Sequence, residues 1–259
     1  MTGEELLRSP VNNISQSLAG RLPGLYTKET YSEPSRATTS LYVRGINNSH
    51  GNEATVVVDG IVVGYKPSQT LDYITAAEIE SISVLKDAAS QALYGIQGGN
   101  GIIVIKTKRG TPGDLRVNVR LDASVQEVTT TPVFINSAEY AQLRNEAAYN
   151  DGFGKNYYYS VEQIEKYRSG EDPNLYPNTN WYDLFFKKQA LTQRAGVDVT
   201  GGSDKVTYFS NINILHQGSQ FKTDQEDYNS SPNFFWANFR SNMDVKLNSY
   251  LSSYLNLSG

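Results

Sequence analysis

A chain of 259 residues can form one large domain or two ordinary ones, so core size sets no limit. Its 23 basic and 27 acidic side chains leave a formal charge of −4, with no Lys/Arg block of the kind that tracks a phosphate backbone, which argues against nucleic acid as a partner. The absence of cysteine removes disulfides, thiolate metal sites and Cys nucleophiles, and leaves the redox compartment open.

The first residues, M-T-G-E-E-L-L, are acidic where a secretory signal is basic, and no apolar run precedes Pro10, so no export signal is expected in this chain. Thr2 and Glu5 have capping-box spacing ahead of Leu6-Leu7, and Ile14, Leu18 and Leu22 recur along one face of a short helix that Pro23-Gly24 should end. Strands are expected at L-Y-V-R (41 to 44), in the hairpin T-V-V-V-D-G-I-V-V with its Asp-Gly turn, at I-E-S-I-S-V-L-K (79 to 86) and at I-I-V-I-K-T-K (102 to 108). The richest apolar stretch is broken by Asp59-Gly60, far short of the ~18 residues of a spanning helix, so a helical membrane protein is excluded and a β-barrel is not. These elements describe a small α+β domain over residues 1–110, closed by the linker K-T-K-R-G-T-P-G-D.

From residue 111 onward the period becomes two. Leu115, Val117, Val119, Leu121, Ala123 and Val125 alternate with Arg116, Asn118, Arg120, Asp122 and Ser124. The pattern returns at 191 to 199, less cleanly at 206 to 214, and strongly at 235 to 247, where Asn238, Arg240, Asn242, Asp244 and Lys246 form the polar phase; Y-L-S-S-Y-L-N-L reads as a fifth strand. Long and short links alternate, the longest holding helix-like pieces at S-A-E-Y-A-Q-L-R-N-E-A-A-Y and S-V-E-Q-I-E-K-Y-R. Such sorting puts every long loop at one end of an antiparallel meander, as in outer-membrane barrels. A soluble sandwich produces the same alternation, so periodicity alone leaves both open.

The glycines of L-Y-G-I-Q-G-G-N-G run from helix to strand, the reverse of a phosphate loop, and no G-K-[ST] follows. They read as a helix C-cap at Gly95 and a tight reversal through Gly98, Gly99 and Gly101. His50 and His216 lack metal-ligand or catalytic spacing, and the acidic clusters read as solvated loop charges, so no enzyme, metal or cofactor is expected. Arg44 and Lys86 end strands as basic residues. Trp236 falls on the polar phase of its strand near the long-loop end, and Trp181 lies with Tyr157, Tyr158 and Tyr159 in the longest link; both tryptophans are ligand-binding candidates.

Taken in order, N-I-S-Q-S-L-A-G-R-L-P-G-L, L-Y-V-R-G, V-V-V-D-G, I-E-S-I-S-V-L-K-D-A-A-S-Q-A-L-Y-G and G-G-N-G-I-I-V-I-K-T-K-R-G resemble the plug domain of TonB-dependent outer-membrane transporters of the SusC/RagA type. N-T-N-W-Y-D-L-F-F and V-T-G-G-S-D-K-V-T-Y resemble that family's first barrel segment. The resemblance implies an α+β plug domain followed by antiparallel transmembrane β-barrel strands, a fragment of a plugged barrel of about 22 strands, with residues 1–110 as plug and 111–259 as about five strands of an incomplete barrel. It implies an outer membrane of a Gram-negative bacterium, and import of oligosaccharide or, as an alternative, peptide cargo. The implied partners are a SusD-like surface lipoprotein lid and TonB, which acts through a segment outside these residues. Arg44 and Lys86 match basic positions that help bind the plug to barrel carboxylates; where many relatives have Arg, Lys86 offers a point charge in place of a bidentate fork. The reading of a different class is a soluble β-rich binding protein.

Overall fold

The structure, a computed structural model, describes residues 1–9, 13–31, 38–46, 53–63, 71, 73–87, 92–222 and 233–259. Two compact units hold them: Met1–Ser124 with Thr192–Gly218 and Asn233–Gly259, and Val125–Leu191 with Ser219–Pro232.

In the first unit, helix α1 (Gly3–Leu7) begins on the expected capping box, the Thr2 hydroxyl accepting from the Glu5 N–H at 3.3 Å and the Glu5 carboxylate from the Thr2 N–H at 2.8 Å. Helix α2 (Ile14–Ser17) is capped by Asn13 and is shorter than the apolar spacing suggested; Ile14 and Leu18 are buried and Leu22 packs against the same core from outside the helix. Strands β1 (Leu25–Tyr31) and β2 (Thr38–Val43) pair antiparallel. Next come β3 (Thr55–Val58), β4 (Ile61–Val62), β5 (Ile79–Leu85) and β6 (Ile102–Thr107). Their sheet runs β4-β3-β6-β5, with β3 parallel and β5 antiparallel to β6. The β3–β4 turn is made by Asp59 (φ 48) and Gly60 (φ 86), both left-handed, as a primed turn requires. Leu6, Ile14, Leu18, Val56, Ile82, Ile103 and Ile105 meet in one buried cluster, so both helices lie on the sheet.

The glycine run forms a 3-10 turn over Gly95–Asn100; Gly95 (φ 58) starts that turn, and residues 88–91 of the expected preceding helix lie outside the described residues. Gly101 is constrained twice, by φ 87 and by Val43, whose Cβ would stand 2.3 Å from a Cβ at this position. The glycines therefore admit a close crossing of chain segments, and no helix opens from them toward a phosphate.

Beyond the linker, β7 (Gly113–Glu127), β8 (Gln189–Gly202), β9 (Val206–Gln217), β10 (Phe234–Lys246) and β11 (Ser252–Ser258) form a five-stranded sheet in chain order. β8 to β11 pair antiparallel, from Gly202↔Thr207 through Val245↔Val206 to Lys246↔Ser252. The short link expected at 200 to 204 is confined to 203 to 205 because β8 continues through Gly202, and the one expected at 247 to 250 spans 247 to 251. The two faces are reversed relative to a soluble sandwich. Asn211, Asn213, Asn238, Arg240 and Asn242 are buried, while Leu121 is 78 % exposed, Phe235 66 % and Ile212 57 %.

The second unit holds α3 (Ser137–Asn150), α4 (Val161–Ser169) and α5 (Trp181–Phe185). Asn136 with Glu139 and Ser160 with Gln163 cap the first two, and left-handed Gly170 ends α4. Ala138, Ala141 and Ile164 pack with Tyr159 and Tyr167 between them. Lys187 N–H donates to the Gln220 carbonyl at 2.6 Å and Lys222 N–H to the Phe185 carbonyl at 2.7 Å, beside the Phe186–Phe221 ring contact.

Candidate functional site

The polar phase of the five-stranded sheet meets one local turn. Thr75 opens the 3-10 turn Ala76–Glu78, and its capping box folds the Glu78 side chain back: Thr75 N–H and hydroxyl donate to Glu78 Oε1 at 3.3 and 2.7 Å. The other oxygen, Oε2, accepts from Arg240 Nε at 2.6 Å, and Asn238 donates to Oε1. The two charged side chains are 0 % and 8 % exposed, so this is a desolvated, charge-assisted contact between the start of β5 and the middle of β10.

From Glu78 a row of amides crosses the sheet. Asn213 on β9 donates to the Thr75 hydroxyl at 3.0 Å, to Asn238 Oδ1 at 3.3 Å and to Asn211. Asn211 donates to Asp198 on β8, which also accepts from Arg120 at 2.8 Å and Asn118 at 3.2 Å on β7. The strand register builds this row directly, because Asp198 stands opposite Asn211 and Asn213 opposite Asn238.

A second group lies at the end of β6. Asn242 donates to the Thr107 hydroxyl and to the Lys108 carbonyl, each at 2.8 Å; Thr107 in turn donates its hydroxyl to Asp59 at 2.5 Å. Arg109 pairs with Asp244 and lies over the Tyr254 ring at 5.6 Å. Burial pushes the Lys108 amine below its ordinary value, with Asp198 opposing that shift. At Gly110 the backbone passes so close to β9 that a Cβ would stand 2.2 Å from the Tyr208 amide nitrogen.

This seam holds two layers by directional polar bonds where most domain cores use apolar contact. Chemically it is a holding device: its carboxylates are tied to Arg and Asn donors. When water enters such a seam each group regains hydrogen bonds, so separation carries less penalty than opening an apolar core of equal area.

Arg44 and Lys86 take no part in the bonds just described. β2 stops at Val43, and Arg44 follows it exposed and left-handed (φ 62), its N–H donating to the Gly24 carbonyl at 2.9 Å. Half-buried Lys86 runs over the same residue, its Cε 2.9 Å from where a Gly24 Cβ would stand. The structure thus brings the two predicted basic residues together around Gly24. Trp236 is half-buried opposite Leu215, on the phase that carries Asn238 and Arg240. Trp181 is exposed at the start of α5 and stacks on Phe185 at 5.8 Å. His216 is half-buried opposite Phe235, and His50 lies outside the described residues. The seam residues Glu78, Thr107, Asn213 and Arg240 were not singled out from the sequence as a site. The signal available was the polar phase of the later strands; what it lacked was the knowledge that this phase is buried.

Comparison with known proteins bears on the whole chain. The TonB-dependent Receptor Plug Domain family matches residues 1–102. The chain is 33 % identical to TonB-dependent receptor P26 of Formosa agariphila over 98 % of its own length and 24 % of that protein's. Against TonB-dependent receptor SusC of Bacteroides thetaiotaomicron it is 23 % identical, over 94 % of this chain and 23 % of SusC. The chain therefore spans about a quarter of the length of these curated relatives. Its fold superposes on a solved structure of the RagAB peptide transporter with a TM-score of 0.78 at 21 % identity, covering 100 % of this chain and 30 % of that one. An α+β plug followed by antiparallel barrel strands, joined by a polar seam, places this chain in the TonB-dependent receptor family, in its SusC/RagA type.

Proposed function

We propose that the protein serves as the plug-bearing part of an energised importer in the outer membrane of a Gram-negative bacterium, with residues 1–110 as plug and 111–259 as the first strands of the barrel. One observation carries this reading. The sheet turns apolar residues outward, as with Leu115, Val117, Val119 and Leu121 on β7, and buries the polar phase of β9 and β10, as with Asn211, Asn213 and Asn242. Lipid outside and a polar, plugged lumen inside demand that polarity, and a water-soluble sandwich demands the opposite. Strands of 15, 14, 12 and 13 residues for β7 to β10 exceed the ~9–11 that cross a bilayer.

The cargo we infer is a bulky nutrient, an oligosaccharide first, handled with a SusD-like surface lipoprotein and released inward by TonB. Peptide is the second reading, favoured by the likeness to the RagAB peptide transporter. Trp236 and Trp181 are candidate ligand contacts, and Arg44 with Lys86 a candidate further hold between plug and barrel. Nothing in this role calls for catalysis or a cofactor.

The test is partition of the full-length native gene product between outer-membrane and soluble fractions, followed by electrophoresis with and without boiling. The expected result is an outer-membrane protein that migrates as a compact, heat-sensitive species. A soluble product with heat-independent mobility would refute the assignment.

A further inference from the structure

The second unit holds exposed aromatic residues in fixed positions, and this needs a reason. Phe153, Tyr157 and Tyr158 are each about half exposed, yet Phe153 meets Tyr157 at 4.7 Å, Tyr157 meets Tyr158 edge-on at 5.0 Å, and the Arg144 guanidinium covers Tyr158 at 4.5 Å. The segment carrying them is pinned by one buried side chain. Asn145, 6 % exposed on α3, accepts from the N–H groups of Tyr158 and Tyr159 at 3.0 Å each and donates to the Tyr159 carbonyl at 2.6 Å. Rings already ordered at the surface lose little freedom when a ligand stacks on them, which favours binding there.

Beside this shelf is a cavity of about 370 Å³ between α3 and α4, in the size class of small-ligand sites. Tyr149, Val161 and Ile164 give it apolar surface, while Glu146, Lys155 and Asn156 supply polar groups. The lining carries two carboxylates, Glu146 and Glu165, against two cations, Lys155 and Arg168, and Glu165 is bonded to Arg168 at 2.6 Å. A charge-balanced lining with both donors and acceptors discriminates against strongly anionic or cationic ligands and suits hydroxyl groups. An aromatic wall suits the C–H face of a sugar ring.

We propose that this cavity and the aromatic shelf form a carbohydrate subsite in the insertion between β7 and β8, taking a short neutral oligosaccharide. One pyranose face lies on the side of Tyr149 away from the Lys155 ammonium, which sits over that ring at 5.8 Å, or on Tyr157 of the adjoining shelf, and its hydroxyls bond to Glu146 and Asn156. The insertion is the longest of the links between the strands of the meander, and long links belong to the exterior side in outer-membrane barrels. This rests on the importer reading above and names its ligand class at one place.

The experiment uses the full-length transporter in detergent, titrated by calorimetry with maltohexaose, laminarihexaose, xylohexaose and an uncharged hexapeptide, alongside uptake of the same compounds by cells. The expected result is that one hexasaccharide binds, that Tyr149→Ala with Tyr157→Ala weakens it about tenfold, and that Tyr149→Trp with Tyr157→Trp retains binding. Asn145→Ala should weaken binding with no change in the thermal midpoint of the barrel. If a hexasaccharide binds and enters cells but the alanine variant matches the parent, the subsite is wrong and the importer stands. Binding of the peptide alone overturns the glycan assignment, and absence of binding by every probe in a protein that does enter the outer membrane overturns the subsite.

Discussion

Glu78 and Arg240 are separated by 162 positions in the chain, yet their carboxylate and guanidinium lie 2.6 Å apart with almost no access to solvent. A buried pair of this kind adds little net stability when intact but is expensive to halve. Arg240→Met alone, leaving Glu78 uncompensated, should lower stability by ~3–5 kcal/mol, and Glu78→Leu with Arg240→Met should restore most of it. Limited proteolysis of the full-length protein at rising urea would report the order. If the double variant is as damaged as the single, the ion pair is not what joins the two layers.

Gly110 offers a different kind of test, since its neighbour is backbone and has no rotamer to move. Gly110→Ala should cost ~1–3 kcal/mol through overpacking against Tyr208, whereas Gly154→Ala, with open space around it, should be close to neutral. Thermal melts of both variants check this, and equal midpoints would contradict the close crossing.

The apolar face predicts opposite responses in lipid and in water. Leu121→Lys should destabilise the bilayer-embedded protein by ~2–4 kcal/mol if the position lies near mid-membrane, while a soluble sheet would tolerate Lys at a site already 78 % exposed. Folding yield into lipid vesicles against urea distinguishes the two.

Lys108 sets a pH dependence whose sign can be worked out. Its folded value lies below the ordinary 10.5 because burial disfavours the charge. Between the folded value and 10.5 the unfolded chain binds more protons than the folded one, so stability rises with pH there. Below that window both states are charged and the burial penalty is constant. Lys108→Met should remove the rise, so the stability gap between variant and parent should narrow across the alkaline window. Parallel melts over that range would show it, and a gap that widens would reverse the assignment.

The five strands of the sheet were legible because alternation needs only the chain itself, as Leu115 to Val125 shows. The capping boxes at Thr2 and the Asp59-Gly60 turn were legible for the same reason, each being a local bond or dihedral preference. β1 escaped because L-Y-T-K-E-T-Y has no apolar phase to read; its partner β2 defines it. The helix of Trp181 escaped because its five residues are too few for a period. Nothing in the local sequence marks Glu78, and its contact with Arg240 is what separates it from Glu80, which is exposed two residues later. Long-range pairing of polar residues leaves no trace in periodicity.

The amide row from Arg120 through Asp198, Asn211, Asn213 and Asn238 to Glu78 has a consequence for how this protein can vary. Members of the row share bonds, so an exchange at Asn211 alone takes one bond from Asp198, which keeps Arg120 and Asn118, and one from Asn213, which keeps Thr75 and Asn238. Drift along the row is therefore coupled: related chains should change these positions together more often than the outward-facing residues between them.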